Sequence, residues 1–227
     1  MYRQVRVAVC ATCYGEQMIK LYHCRHARSL RPLWTLEEMG LPYEPVLLPF
    51  PPRAHAKPYL SENPLGTVPL FVDGDVRMTE SSGICLYLTQ AYGPTPLALT
   101  QQEKHYPNFI NWLFFSDATL TFPQTLVLRY RQFEAPERRN EQVAADYEKW
   151  FLGRLRAVEA ALQSREWLCA ERFTIADICI AYALHLAQAR AGLGAGLTPN
   201  VRKYLDRARA RPSFVRLRKV DESAPDY

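Results

Sequence analysis

Two rhythms of apolar spacing divide the chain. In the first 92 residues, short runs with an apolar side chain at every second position alternate with stretches of helical spacing. Residues 19–23, Ile-Lys-Leu-Tyr-His, read as a strand. Leu30, Leu33, Trp34 and Leu36 fall on one helical face over residues 29–39, and Gly40 supplies the stop. Residues 43–48 form a second strand, after which Pro49, Pro51, Pro52 and Pro58 break any regular ladder and predict an irregular arm. Residues 69–72 and 76–78 flank Asp73-Gly74, a strong hairpin-turn signal, and residues 81–92 resume helical spacing.

From residue 98 the period-two signal is gone. Gly93-Pro94-Thr95-Pro96-Leu97 has the composition of a linker, and long helical patterns follow over residues 102–131, 137–163, 174–189 and 200–211. Pro123 predicts a kink or an end in the first of them. Thr174-Ile175-Ala176-Asp177 has the spacing of a capping box, with Ile175, Ile178, Cys179, Tyr182 and Leu186 on the stripe behind it. The element order β-α-β then β-β-α, followed by helices alone, predicts an N-terminal thioredoxin-like α/β domain and a C-terminal all-α helical bundle. The expected borders are a loosely held extension over 1–17, the first domain over 18–93, a linker over 94–100, the helical domain over 101–220 and a tail over 221–227.

Composition narrows the function classes. With 227 residues the chain has length enough for two domains. Lys plus Arg exceed Asp plus Glu by 28 to 23, and the excess gathers between Arg190 and Lys219. Few aromatic residues are interleaved there, so a solvated helix face is the reading, not a nucleic-acid surface. No apolar run of about 18 residues predicts a membrane span, and residues 1–17 lack the pattern of a secretion signal. Cytoplasmic placement follows, with six cysteines too sparse for a disulfide scaffold. Cys10 and Cys13 are spaced as a redox pair but stand before the first strand, whereas a redox thiolate needs the helix start that follows one.

The most informative segment is Asn63-Pro64-Leu65-Gly66-Thr67-Val68-Pro69-Leu70, with Thr79-Glu80-Ser81 soon after it. Pro69 marks the place where a sheet ladder must break, so a peptide laid there can pair with the backbone of Val68. Ser81 opens a helix, where free N–H groups favour an anion, and Glu80 beside it suits an ammonium. His23, Cys24 and His26 lie close together in sequence, but strand alternation separates the first two and no further ligand set is evident, so no metal is expected.

These motifs, together with Ala27-Arg28-Ser29-Leu30-Arg31-Pro32-Leu33-Trp34, resemble those of bacterial cytosolic glutathione transferases over about residues 18–220. The resemblance implies a cis Val68-Pro69 bond and glutathione as co-substrate, held by Thr67, Val68, Pro69, Glu80 and Ser81. Lys57, with His55, would reach the glycyl carboxylate. It implies a dimer and a role in detoxification, with a small apolar or aromatic electrophile as the second substrate. One departure concerns the thiol. Relatives often read Ser-Arg-Ser-Leu-Arg where this chain has Ala27 in the place of the first serine. Three donors to the glutathione sulfur remain: Ser29, His26 just before Ala27, or backbone N–H groups at the helix start.

Tyr106, Phe109, Trp112, Phe115, Ser116 and Thr119 form a stripe on the first long helix, which in the resembled fold lines the electrophile pocket. Phe109, Trp112 and Phe115 are its expected pocket residues. The expected activity is glutathione conjugation. A transferase-like binding module without turnover, or a glutathione-dependent isomerase or thiol reductase using Cys24, is the alternative.

Overall fold

The computed structural model describes residues 18–226. The Cys10–Cys13 pair and the expected looseness of residues 1–17 lie outside the described residues.

Four strands form one mixed sheet in the order β2-β1-β3-β4. In β1 (Ile19–His23) alternate side chains turn inward, which buries Ile19, Leu21 and His23. Helix α1 (Leu30–Met39) connects it to the parallel strand β2 (Tyr43–Leu47). Gly40, at φ 65°, ends α1 in the left-handed region, as its position predicted. The proline arm contains one short helix, α2 (Pro52–His55), and a 3-10 turn over Lys57–Ser61. Strands β3 (Leu70–Asp73) and β4 (Val76–Met78) form a hairpin. Its two turn residues are Gly74 and Asp75, one step later than expected, because Asp73 pairs with Val76. Helix α3 (Ser81–Ala91) closes the domain.

The second domain is helical throughout. What reads in sequence as one helix over 102–131 is α4 (Tyr106–Phe114), a π-helical turn over Phe115–Thr121, α5 (Phe122–Leu128) and another π turn over Arg129–Phe133. Pro123 does not end the helical run but falls in the first turn of α5, directly after the π turn. It has no N–H to donate, and the ladder before it widens, with the Thr121 hydroxyl donating to the Ser116 carbonyl at 2.7 Å. Then come α6 (Glu141–Ala161), α7 (Ile175–Ala189), α8 (Pro199–Arg209) and α9 (Pro212–Ser223). The expected tail from residue 221 is a correction: α9 runs on to Ser223 and buries Asp221.

Helix α7 is the axis of the helical domain, buried from Ile175 to Ala187. It starts on the capping box, where Asp177 accepts the Thr174 N–H at 2.8 Å. The same carboxylate accepts the Leu168 N–H at 3.0 Å and the Tyr204 hydroxyl at 3.0 Å. Helix α1 packs against α3, α7 and α9, so the start of α1 lies where the two domains meet. Among the described residues, no helix is long and apolar enough to cross a membrane.

Candidate active site between the domains

A cleft of about 610 Å³ opens between the start of α1, the proline arm and the helices α5 and α7. The first domain contributes His26, Ala27, Phe50, Arg53, Thr67 and Val68. The second contributes Thr125, Leu128, Phe133, Tyr182 and Leu186. The rings of Phe50 and Phe133 meet at 5.3 Å, one from each domain.

The loop that delivers Val68 is fixed from beneath. Tyr59 donates to the Thr67 carbonyl at 2.7 Å, and the Asn63 amide donates to the same oxygen at 2.9 Å. Gly66 has φ +59°, and a Cβ there would lie 2.6 Å from the Cβ of Arg53, so glycine lets the arm close on the loop. The Val68-Pro69 bond is cis. Pairing of β3 with β1 begins at Leu70, and among the described residues the Val68 N–H and C=O have no hydrogen-bond partner. An extended peptide in the cleft therefore finds an open backbone edge.

His26 stands at the base of the cleft with φ 55°, a conformation that side-chain-bearing residues seldom adopt. Three groups of the helical domain hold it. Asp221 accepts its backbone N–H at 2.8 Å, Tyr182 donates to its carbonyl at 3.2 Å, and its Nδ1 meets Nε2 of His185 at 3.2 Å. Burial alone would raise the Asp221 pKa, but hydrogen bonds from His23 and His26 hold it well below the usual carboxylate range. His185 is pushed down to about 3 by burial and by the neighbouring Arg209 and His26.

Ser29 is placed differently from expectation. Helix α1 does begin late, at Leu30, which is the condition for a useful Ser29. Its hydroxyl nevertheless points inward, fully buried, 2.9 Å from Nδ1 of His23 and 3.4 Å from the Cys24 N–H that it accepts. It does not line the cleft. Cys24 is fully buried and does not line the cleft, and burial pushes its thiol up to about 12, away from the thiolate a nucleophile needs.

Several other expected residues also stand off the cleft. Phe109 and Trp112 are core, with Trp112 packed edge-on against Phe115 at 5.1 Å. The cleft takes Thr121, Thr125 and Leu128 instead, from the end of the π turn and from α5 beyond it. Lys57 is exposed outside the cleft, and Arg53 lines it. Ser81 is buried, and Arg31 donates to its hydroxyl at 2.9 Å. Arg31 also pairs with Asp117 at 2.6 Å, and Ser82 donates to the same carboxylate. Glu80 is exposed at the start of α3. Sequence reading missed Asp221, His185, Tyr182 and Phe50. Only His185 carried a signal, as the one histidine within the apolar run of α7.

His26, His185 and Asp221 bring three ligand-type atoms within 4.8 Å of one another. Arg209 argues against a cation there. It approaches Nδ1 of His185 at 2.6 Å and can only donate, so Nε2 must carry the proton and has no lone pair for a metal.

The models of two domains match this chain. Glutathione S-transferase, N-terminal domain, matches residues 17–90, and glutathione S-transferase, C-terminal domain, matches residues 120–212. Glutathione S-transferase F10 of Arabidopsis thaliana is 30% identical over 168 residues, covering 71% of this chain and 77% of the relative. The chain belongs to the glutathione S-transferase family. Glutathione S-transferase 3 of Schizosaccharomyces pombe is 27% identical over 224 residues, covering 91% and 89% of the two chains. Among solved structures, Ure2p5 from Phanerochaete chrysosporium, cocrystallized with 1-(S-glutathionyl)-2,4-dinitrobenzene, superposes with a TM-score of 0.78 at 23% identity, covering 92% of this chain and 96% of that one. Membership in the glutathione S-transferase family makes glutathione the co-substrate and glutathione transfer the activity.

Proposed function

We propose that this chain adds the thiolate of glutathione to small apolar or aromatic electrophiles in the cleft between its domains. One observation carries the reading: the open Val68 backbone edge and the His26 imidazole meet on the same cleft. Glutathione lies along Thr67, Val68 and Pro69, with its cysteinyl backbone paired to Val68. Its γ-glutamyl carboxylate points to the start of α3, where the backbone N–H groups of the first helical turn suit an anion and Glu80 takes the ammonium. Its glycyl carboxylate reaches Arg53, not Lys57.

The thiol releases its proton to solvent on binding, and the sulfur is stabilised from the start of α1. His26 and the Arg28 backbone N–H are the donors, because Ser29 is buried with its hydroxyl committed to His23. The electrophile rests on Phe50, Leu128, Phe133 and Leu186. A homodimer in the cytoplasm completes the reading. The four buried cysteines are free, which suits a reducing compartment, and Phe114, 72% exposed on α4, suits a face covered by a second copy.

A second reading rests on Ala27, which lines the cleft with a methyl group where a hydroxyl serves in relatives. It makes the chain a glutathione-binding module without turnover. One experiment separates them: glutathione affinity by calorimetry, the ultraviolet thiolate band of the bound tripeptide at pH 7, and turnover over a panel of activated aryl halides and alkenes. Binding, a thiolate band and conjugate formation support transfer. Binding without either of the other two supports the module, and no binding rejects both.

A further inference from the structure

The helical domain delivers more than walls to the cleft. Arg209 on α8 lies 2.6 Å from Nδ1 of His185 on α7, and His185 in turn lies 3.2 Å from Nδ1 of His26. His185 is buried, and Phe214 packs edge-on against its ring at 5.7 Å. A guanidinium has donors and no acceptor, so His185 must offer it an unprotonated Nδ1. Neutral imidazole then carries its proton on Nε2, which faces His26. His26 must accept that proton at Nδ1, and its own proton moves to Nε2. Because Nδ1 is turned to His185 and Asp221 of the helical domain, Nε2 is the ring nitrogen left without a partner among the described residues, on a residue that lines the cleft.

Asp221 pulls the other way, and geometry decides between them. Its Oδ2 is 3.2 Å from the same Nδ1, close enough for an ion pair. The hydrogen-bond alignment at Nδ1, however, runs to His185. Asp221 spends Oδ1 on the His26 backbone N–H and on Nε2 of His23, whose Nδ1 faces the Ser29 hydroxyl. The carboxylate thus fixes the backbone turn, and the relay fixes the ring.

We infer that Arg209 and His185 are positioning residues which lock His26 as the Nε2–H tautomer, so that a neutral imidazole donates a hydrogen bond to the glutathione sulfur in the place of the hydroxyl absent at Ala27. No covalent bond is made or broken by the relay. It sets which nitrogen of His26 holds the proton, and the sulfur receives a donor and not a base. The inference rests on the proposed function for the identity of the acceptor, but the tautomer itself does not depend on glutathione.

Imidazole ¹⁵N chemical shifts of the ligand-free, full-length protein at pH 7 test it directly. The His26 signals should report Nε2–H, neutral. Arg209→Met and His185→Leu should move the proton to Nδ1, facing Asp221, and raise the pKa of bound glutathione thiol by about one unit, a tenfold lower ratio of thiolate to thiol. Arg209→Lys still donates, and His185→Gln still accepts with its oxygen and donates with its amide, so both should retain the parental His26 shifts. An Nδ1–H tautomer or an imidazolium in the parent overturns the inference, as do Met and Leu variants with parental shifts. If the parental tautomer is found and glutathione does not bind, the proposed function fails and the relay stands.

Discussion

His26 and Asp221 are 195 residues apart in sequence and 2.8 Å apart at the cleft, where the backbone N–H of the first donates to Oδ1 of the second. The left-handed turn at His26 is costly for a residue with a side chain, and this contact helps to hold it. Replacing Asp221 by Ala leaves that N–H and the buried His23 ring without their acceptor. The variant should lose about 3 kcal/mol of stability in urea titration and most of its turnover. Parental values for both would mean that α9 has no part in shaping the site.

Ser29 and His26 should behave in opposite ways. Ser29→Ala removes a buried partner of His23 and should cost about 1–2 kcal/mol of stability, with turnover per folded molecule changed less than about threefold. His26→Ala should lower turnover by roughly 10- to 100-fold with nearly parental glutathione affinity. Steady-state kinetics beside thermal melts will separate the two, and a catalytic defect in Ser29→Ala would restore that hydroxyl to the reaction.

The buried His185 gives stability a defined dependence on pH. Its folded pKa is held down to about 3, against about 6.5 in an unfolded chain, so the unfolded state binds the proton first on acidification. Its contribution is full above about pH 6.5 and falls as the pH drops toward 3. Between pH 7 and pH 5 the parent should lose about 2 kcal/mol more than His185→Gln. Asp177 acts in the reverse sense. Burial lifts its folded pKa to about 6, so it favours the folded state as pH falls from about 6 toward 4. The comparison with His185→Gln isolates the histidine, since Asp177 is common to both proteins.

Asp177 should matter for folding and not for chemistry. Asp177→Ala orphans the buried N–H groups of Leu168 and Thr174 and the Tyr204 hydroxyl. A loss of about 2–4 kcal/mol is expected, with glutathione affinity of the folded fraction unchanged in calorimetry. A parental melting temperature would remove the capping box from the account of α7.

What the sequence determined by itself is local. Alternation in Ile19–His23, the stop at Gly40, the turn near Asp73, the Thr174-to-Asp177 box and the Thr67-Val68-Pro69 loop each depend on neighbours a few residues away, where backbone sterics and hydrogen bonding act without knowledge of the fold. The cis loop with its open Val68 edge was legible for that reason. The helical wall of the cleft was not. Phe109, Trp112 and Phe115 have the spacing of a pocket face, but Phe109 and Trp112 are buried and Phe115 is partly buried against the core, while the cleft is lined from within and beyond the π turn, and a period of 3.6 does not foresee an inserted residue. The surroundings of His26 and Ser29 were even less accessible. Ser29 stands near Ala27 in sequence, but the direction of its hydroxyl is set by His23, and His23 is held by Asp221 from the far end of the chain. Only the packing of α7, α8 and α9 against the start of α1 could bring His185, Arg209 and Asp221 to His26, because a long-range polar cluster leaves no periodic mark on the residues that compose it.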